Sequence, residues 1–154
     1  MGGVIPSIAR TRLHTSFGSR ARPRRPRADM KYLLMIYGNK EKWDSIPAEL
    51  LEKRIAEQDA WNARYRASGE LLAAYGLHDA KDASLVRNQD GAPISTDGPY
   101  LEAKEYLCSL YLLDVESADR AREMAARMPW AREDPIELWP IEHDGFAPKP
   151  GGGA

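Results

Sequence analysis

The sequence predicts an α+β domain on the ferredoxin-like plan, β-α-β-β-α-β with an extra hairpin arm. Three observations point there. Apolar patterning runs in the order strand, helix, strand, hairpin, strand, helix, strand, which reduces to that plan when one hairpin arm is set aside. Only two stretches read as sheet-covering helices, and two helices cover one face of a sheet. Yet the first strand and the stretch Leu107 to Val115 are apolar on both alternating sets, as strands are when both faces are buried. An uncovered face would be a large apolar patch, which soluble monomers rarely keep. A second copy stacked sheet on sheet, a homodimer of the dimeric α+β barrel type, is the expected solution.

The first strand is Lys31 to Tyr37, ended by Gly38 and Asn39. A helix follows over about 46 to 68: Ser45 can cap it, Pro47 suits its first turn, and Gly69 terminates it. Leu51, Ile55, Gln58, Asn62 and Tyr65 share one stripe at helical spacing. The polar pair at its centre either flanks the core or faces a polar pocket between helix and sheet. Leu71 to Gly76 reads as the second strand. Ser84 to Asn88 and Ala92 to Thr96 flank Asp90-Gly91, a hairpin signal, and Pro93 puts the second arm at an edge. After the Leu107 to Val115 strand, Ser117 caps a helix that Pro129 stops. Ala121, Met124, Ala125 and Met128 form its buried stripe. Ile136 to Ile141 is the last strand, at an edge because of Pro140.

A chain of 154 residues suits one domain, placed at 30–142. Residues 1–29 carry seven arginines against one acid, a net of about +6, which leaves 15 basic and 22 acidic residues in the rest, about −7. Such a split can mark a nucleic-acid or membrane-binding arm. Here Pro23 and Pro26 interrupt the arginine run, apolar periodicity is missing, and the acidic body is no phosphate-binding surface. Translation starting at Met30, or a disordered extension, accounts for the segment, and nucleic acid is not an expected partner. From His143 onward, Pro148, Pro150 and the closing glycines read as a disordered tail. No run reaches the roughly 18 apolar residues of a membrane span, so a cytoplasmic protein without a membrane partner is expected. The single cysteine, Cys108, reads as a small core residue. The competing reading, a nucleophilic thiolate, needs a cationic or basic neighbour.

Chemistry concentrates before the Leu107 to Val115 strand. In Asp97-Gly98-Pro99-Tyr100, Gly98 takes backbone angles closed to other residues and Pro99 pushes it away from helix. Asp97 is thereby held at the end of a hairpin arm, as a general base, as a ligand anchor, or as an ordinary turn aspartate. Lys104 and Glu105 follow at the rim. His78, next to Asp79 after the second strand, is the histidine placed to approach Asp97; a His–Asp pair is a proton-transfer device. Gln58 and Asn62 complete the set of candidate ligand-binding residues, with Gly98, Pro99, Tyr100, Lys104 and Glu105. No metal site and no cofactor is indicated.

Thr96-Asp97-Gly98-Pro99, then Glu102, Lys104, Glu105, then Tyr111-Leu112 and Asp114-Val115 resemble the central motif of the DGPF family among the YCII-related proteins, with Tyr100 in place of phenylalanine. The opening Met30 to Gly38 resembles that family's start. Trp61-Asn62 and Ser68-Gly69 fit its first helix, and Gly76-Leu77 its second strand end. The resemblance spans roughly 30–142. It implies a dimeric ferredoxin-like domain with a pocket beside the signature turn. Relatives carry a histidine on the first helix as well as an aspartate in that pocket; here Gln58 and Asp59 stand near that place. Two functional expectations follow. One is a small polar organic ligand bound beside the turn, with Asp97 as base and His78 as its partner if chemistry occurs. The other, from the association of relatives with extracytoplasmic-function sigma factors, is a regulatory module without turnover.

Overall fold

Alternation decides the first strand. In β1 (Met30–Gly38) Tyr32, Leu34, Ile36 and Gly38 are buried, and the intervening Lys31, Leu33, Met35 and Tyr37 are half-buried. The computed structural model describes residues 30–98 and 104–146. After β1 come α1 (Lys40–Asp44), α2 (Ala48–Ser68), β2 (Leu71–Gly76), β3 (Ser84–Gln89), β4 (Ala92–Asp97), β5 (Tyr106–Val115), α3 (Ala118–Ala126) and β6 (Glu137–Pro140). The strands β2-β5-β1-β6 form one sheet in that order, every neighbour antiparallel. Taking the sheet strands in chain order, this is 2-3-1-4, the ferredoxin-like arrangement with the first and third strands in the middle.

The register sorts side chains into two faces. Pro140, Tyr32, Leu113 and Leu71 form one row across the sheet, and Leu138, Leu34, Tyr111 and Ala74 the next. These rows meet the helices. Trp61 and Tyr65 of α2 and Ala121, Met124, Ala125 and Met128 around α3 join them in one core. Trp61 stands edge-on to Tyr65 (4.7 Å) and Tyr111 (5.8 Å), and its indole N–H donates to the Met124 carbonyl at 3.1 Å. The opposite face carries Trp139, Leu33, Leu112 and Ala73, then Glu137, Met35, Leu110 and Tyr75. Among the described residues no helix covers that face, and Tyr75 and Trp139 are 60% and 57% exposed.

Local departures from the sequence expectation have physical causes. Ser45 does not cap the long helix. The Asn39 carboxamide instead accepts from the Lys42 N–H at 2.7 Å and starts α1, so Ser45 closes that short helix and Pro47 precedes α2. The buried stripe of α2 is rotated from the expected one. Gln58, Trp61 and Tyr65 are buried, Leu51 and Asn62 are half-buried, and Ile55 is 49% exposed. Trp61 has more apolar surface to hide than Ile55, and the helix turns to hide it. Gly69 closes α2 in the left-handed region (φ 76°). Ser117 caps α3, as expected.

The hairpin also differs. Both arms leave the main sheet and form a two-stranded sheet of their own, so the plan's four strands are β1, β2, β5 and β6. Asp90 (φ 52°) and Gly91 (φ 85°) make the tight mirror-image turn that the Asp-Gly pair predicts. At the other end of the domain, Glu70 is 7% exposed, and Arg120 grips its carboxylate through Nε (2.7 Å) and Nη2 (3.1 Å). Asp144, beyond the last strand, pairs with Lys31. The expected N-terminal extension, 1–29, and residues 147–154 of the expected C-terminal tail lie outside the described residues.

Candidate functional site

The sheet ends unevenly at the carboxyl end of β1, and the unevenness makes a cavity. The β1–β5 register slips by one residue between Ile36 and Tyr37: Ile36 faces Ser109, whereas Tyr37 faces Leu107. Cys108 is the extra residue, and such bulges re-aim side chains at strand ends. β1 finishes at Gly38, and α1 places Trp43 over it. A Cβ at residue 38 would lie 2.7 Å from Trp43 Nε1 and 3.3 Å from Cys108 Sγ, so only glycine lets the indole settle on the strand.

These groups open on a cavity of about 400 Å3. Trp43, Leu77, Tyr106, Leu107 and Cys108 give it an apolar lining, with Asn39, Lys40, His78, Asp79 and Ser109 adding polar groups. An adjoining space of about 320 Å3 shares Leu77, His78, Asp79, Ala80, Tyr106 and Leu107 and extends to Asp82 and Ala83. A cavity of this size with an apolar lining and few polar groups has the ordinary character of a small-molecule site. Several polar groups already have partners. Asp79 accepts from the Lys81 N–H at 3.0 Å, and Lys40 pairs with Asp44 at 2.5 Å.

The Cys108 thiol is half-buried. Burial pushes its pKa up, and hydrogen bonds from Trp43 and the Gly38 backbone only partly offset that. The nearby charge is Glu105, which raises it further. The thiol therefore donates to the Tyr106 carbonyl at 3.3 Å and stays protonated at neutral pH. The charge that acts on the thiol is thus an anion, the opposite of the cationic setting that activates a nucleophilic cysteine. Burial also raises Tyr111, against a hydrogen bond from Ser109 that lowers it.

The candidate residues distribute unequally. His78 lines both spaces, with its side chain 93% exposed, and the carboxylate it faces is Asp82 at 3.8 Å. Asp97 ends β4, exposed and in register with Ser84. Gly98 is buried at φ 76°, and its N–H donates to the Ala83 carbonyl at 2.7 Å, which ties the signature turn to the wall of the adjoining space. Lys104 and Glu105 are exposed and directly precede the wall residue Tyr106. Pro99 and Tyr100 lie outside the described residues. Gln58 and Asn62 hydrogen-bond each other on α2 (3.0 Å); the Gln58 carbonyl oxygen is buried without a partner among the described residues, and neither side chain is among the described residues lining the cavity. Trp43, Tyr106 and Leu107 escaped the sequence reading. The hint available for Trp43 was its place one helical turn beyond Gly38-Asn39. Among the described residues no three His, Cys, Asp or Glu side chains converge to hold a metal, and no helix is long and apolar enough to cross a membrane.

Strand order, helix placement and a cavity at one sheet end define an α+β domain of ferredoxin-like topology. The family model of the YCII-related domain matches residues 30–143, and the chain belongs to that family. It is also similar to an uncharacterized protein of Rhizobium meliloti (strain 1021), 29% identical over 96 residues that cover 62% of this chain and 77% of that protein.

Proposed function

We propose that this protein is a DGPF-type YCII homodimer that binds a small polar organic ligand in the cavity at the end of its sheet. The observation that carries the reading is the cavity itself, about 400 Å3, walled by Trp43, Leu77, Tyr106 and Leu107, with His78 at its rim. The Asp97-Gly98 turn supports it, since Gly98 is hydrogen-bonded to the wall residue Ala83. Chemistry at such a site is acid–base in kind, with His78 and Asp97 as the groups that move a proton. The homodimer follows from the open face, where Leu33, Met35, Leu110, Leu112, Tyr75 and Trp139 stand together. A second copy covers that face most simply, because a two-fold axis makes one patch complementary to itself.

Ala80 borders both spaces, so Ala80→Trp fills them. Ligand-observed NMR with a panel of carboxylic acids, amides and phenols should give compounds that the wild type binds and Ala80→Trp does not. Asp97→Asn should weaken the same compounds while the dimer persists. A panel that binds both proteins equally, or neither, refutes the ligand site; the second result favours the regulatory module expected of sigma-factor-associated relatives.

A further inference from the structure

We infer that the β3–β4 hairpin is a dimerisation arm that packs on the second copy of this chain. The inference rests on the sheet-to-sheet dimer proposed above. The hairpin is completely formed: six positions pair from Ser84↔Asp97 to Gln89↔Ala92, and the Asn88 side chain accepts from the Gly91 N–H at 2.8 Å. Yet it has no core. Among the described residues neither arm pairs with the main sheet, Val86 is 70% exposed, Ile94 is 37% exposed, and only Leu85 is half-buried. A two-stranded hairpin alone in water is marginal, and needs a helix, a further strand or an apolar surface against it.

Area selects a second copy as that surface. Four strands about 4.8 Å apart make a face about 19 Å wide, and strands rising about 3.3 Å per residue make it 20–30 Å long, so the open face measures on the order of 450 Å2. A stable interface buries about 800 Å2 on each partner. The sheet face alone falls short of that. A two-stranded ribbon six residues long is about 20 Å by 10 Å, on the order of 200 Å2 per face. In a two-fold dimer the arm that each copy gives adds on the order of 200 Å2 of its own surface, which brings the total to on the order of 650 Å2 per copy, within the range of a stable interface. Reach agrees with area, since an arm about 20 Å long spans a partner sheet about 19 Å wide. The arm also has a fixed base. The Gly98 N–H bond to the Ala83 carbonyl (2.7 Å) clamps its two ends together at the sheet end.

Sedimentation equilibrium of the wild type, of Val86→Asp/Ile94→Asp and of Leu112→Lys tests this. Val86 and Ile94 are exposed within one copy, so the double variant should fold and keep its low-concentration melting temperature. Its dimer dissociation constant should rise at least about tenfold. Hydrogen exchange of the unaltered chain gives a check that needs no variant. Amides of 84–97 should gain about tenfold or more protection above the dimer dissociation constant. A dimeric wild type whose hairpin variant stays within about twofold, or exchange in 84–97 independent of concentration, overturns the arm and leaves the sheet dimer standing. A wild type that remains monomeric at about 100 μM overturns the sheet dimer, and the arm with it.

Discussion

Replacing Gly38 by alanine tests how the cavity is built. The added Cβ would sit 2.7 Å from Trp43 Nε1 and 3.3 Å from Cys108 Sγ. Ordinary carbon contacts lie at about 3.5–4.0 Å, so the indole must retreat by about 0.8 Å or more. It has little freedom to do so, because Trp43 stands edge-on against Trp130 with ring centroids 4.7 Å apart. Overpacking of this kind costs about 1–3 kcal/mol. Alanine also restricts the unfolded chain, which returns about 0.4–1 kcal/mol. The packing cost is the larger, so Gly38→Ala should destabilise by about 0.5–2 kcal/mol, read as a lower urea midpoint at unchanged slope. The retreat also removes the indole hydrogen bond from Cys108. Tryptophan emission should therefore change in Gly38→Ala but not when the same substitution is made in Trp43→Phe, where the clash is relieved. A Gly38→Ala protein with wild-type stability and spectrum would refute the placement of Trp43 over the strand end.

Two further outcomes follow from groups away from the cavity wall. Burial raises Cys108 and Tyr111 above their ordinary values of 9.0 and 10.0. Their stabilisation is complete below those unfolded-state values and is lost as pH rises through the higher folded-state values. The urea midpoint should be level from about pH 7 to 8 and decline above about pH 9, with Cys108→Ser removing the earlier part of the decline. A midpoint that rises with pH in that range would contradict the burial of both groups. In Arg120→Ala the Glu70 carboxylate loses its arginine, while the Ser68 hydroxyl still donates to it at 2.6 Å. Breaking a fully buried pair costs about 3–5 kcal/mol; Arg120 is 25% exposed, so a loss nearer about 2–3 kcal/mol is expected, measured by urea denaturation. Adding Glu70→Gln should recover part of it, and no recovery would mean that the arginine acts through packing alone.

Much of the main chain was legible because its signals are local. Short apolar runs bounded by breakers fixed β1, β2 and β5 nearly to the residue, Asp90-Gly91 demanded its turn, and Ser117, Gly69 and Pro129 mark helix ends through backbone chemistry carried by single residues. That the described helices leave the second face of the sheet open was legible too, since both alternating sets of β1 and β5 are apolar. The rotation of α2 was not, because burial of Trp61 over Ile55 depends on which group meets Tyr111 and Met124 across the core. Nor could the sequence show that both hairpin arms abandon the main sheet, since pairing partners are chosen between segments distant in sequence. The candidate site divides the same way. His78 and the Asp97-Gly98 turn stand out in the sequence by residue type. Trp43, Tyr106 and Leu107 matter only because a one-residue slip between β1 and β5, opposite a glycine, leaves room for them at one end of the sheet. Residue chemistry and backbone preference travel with the sequence, whereas register and empty space exist only once distant strands have met.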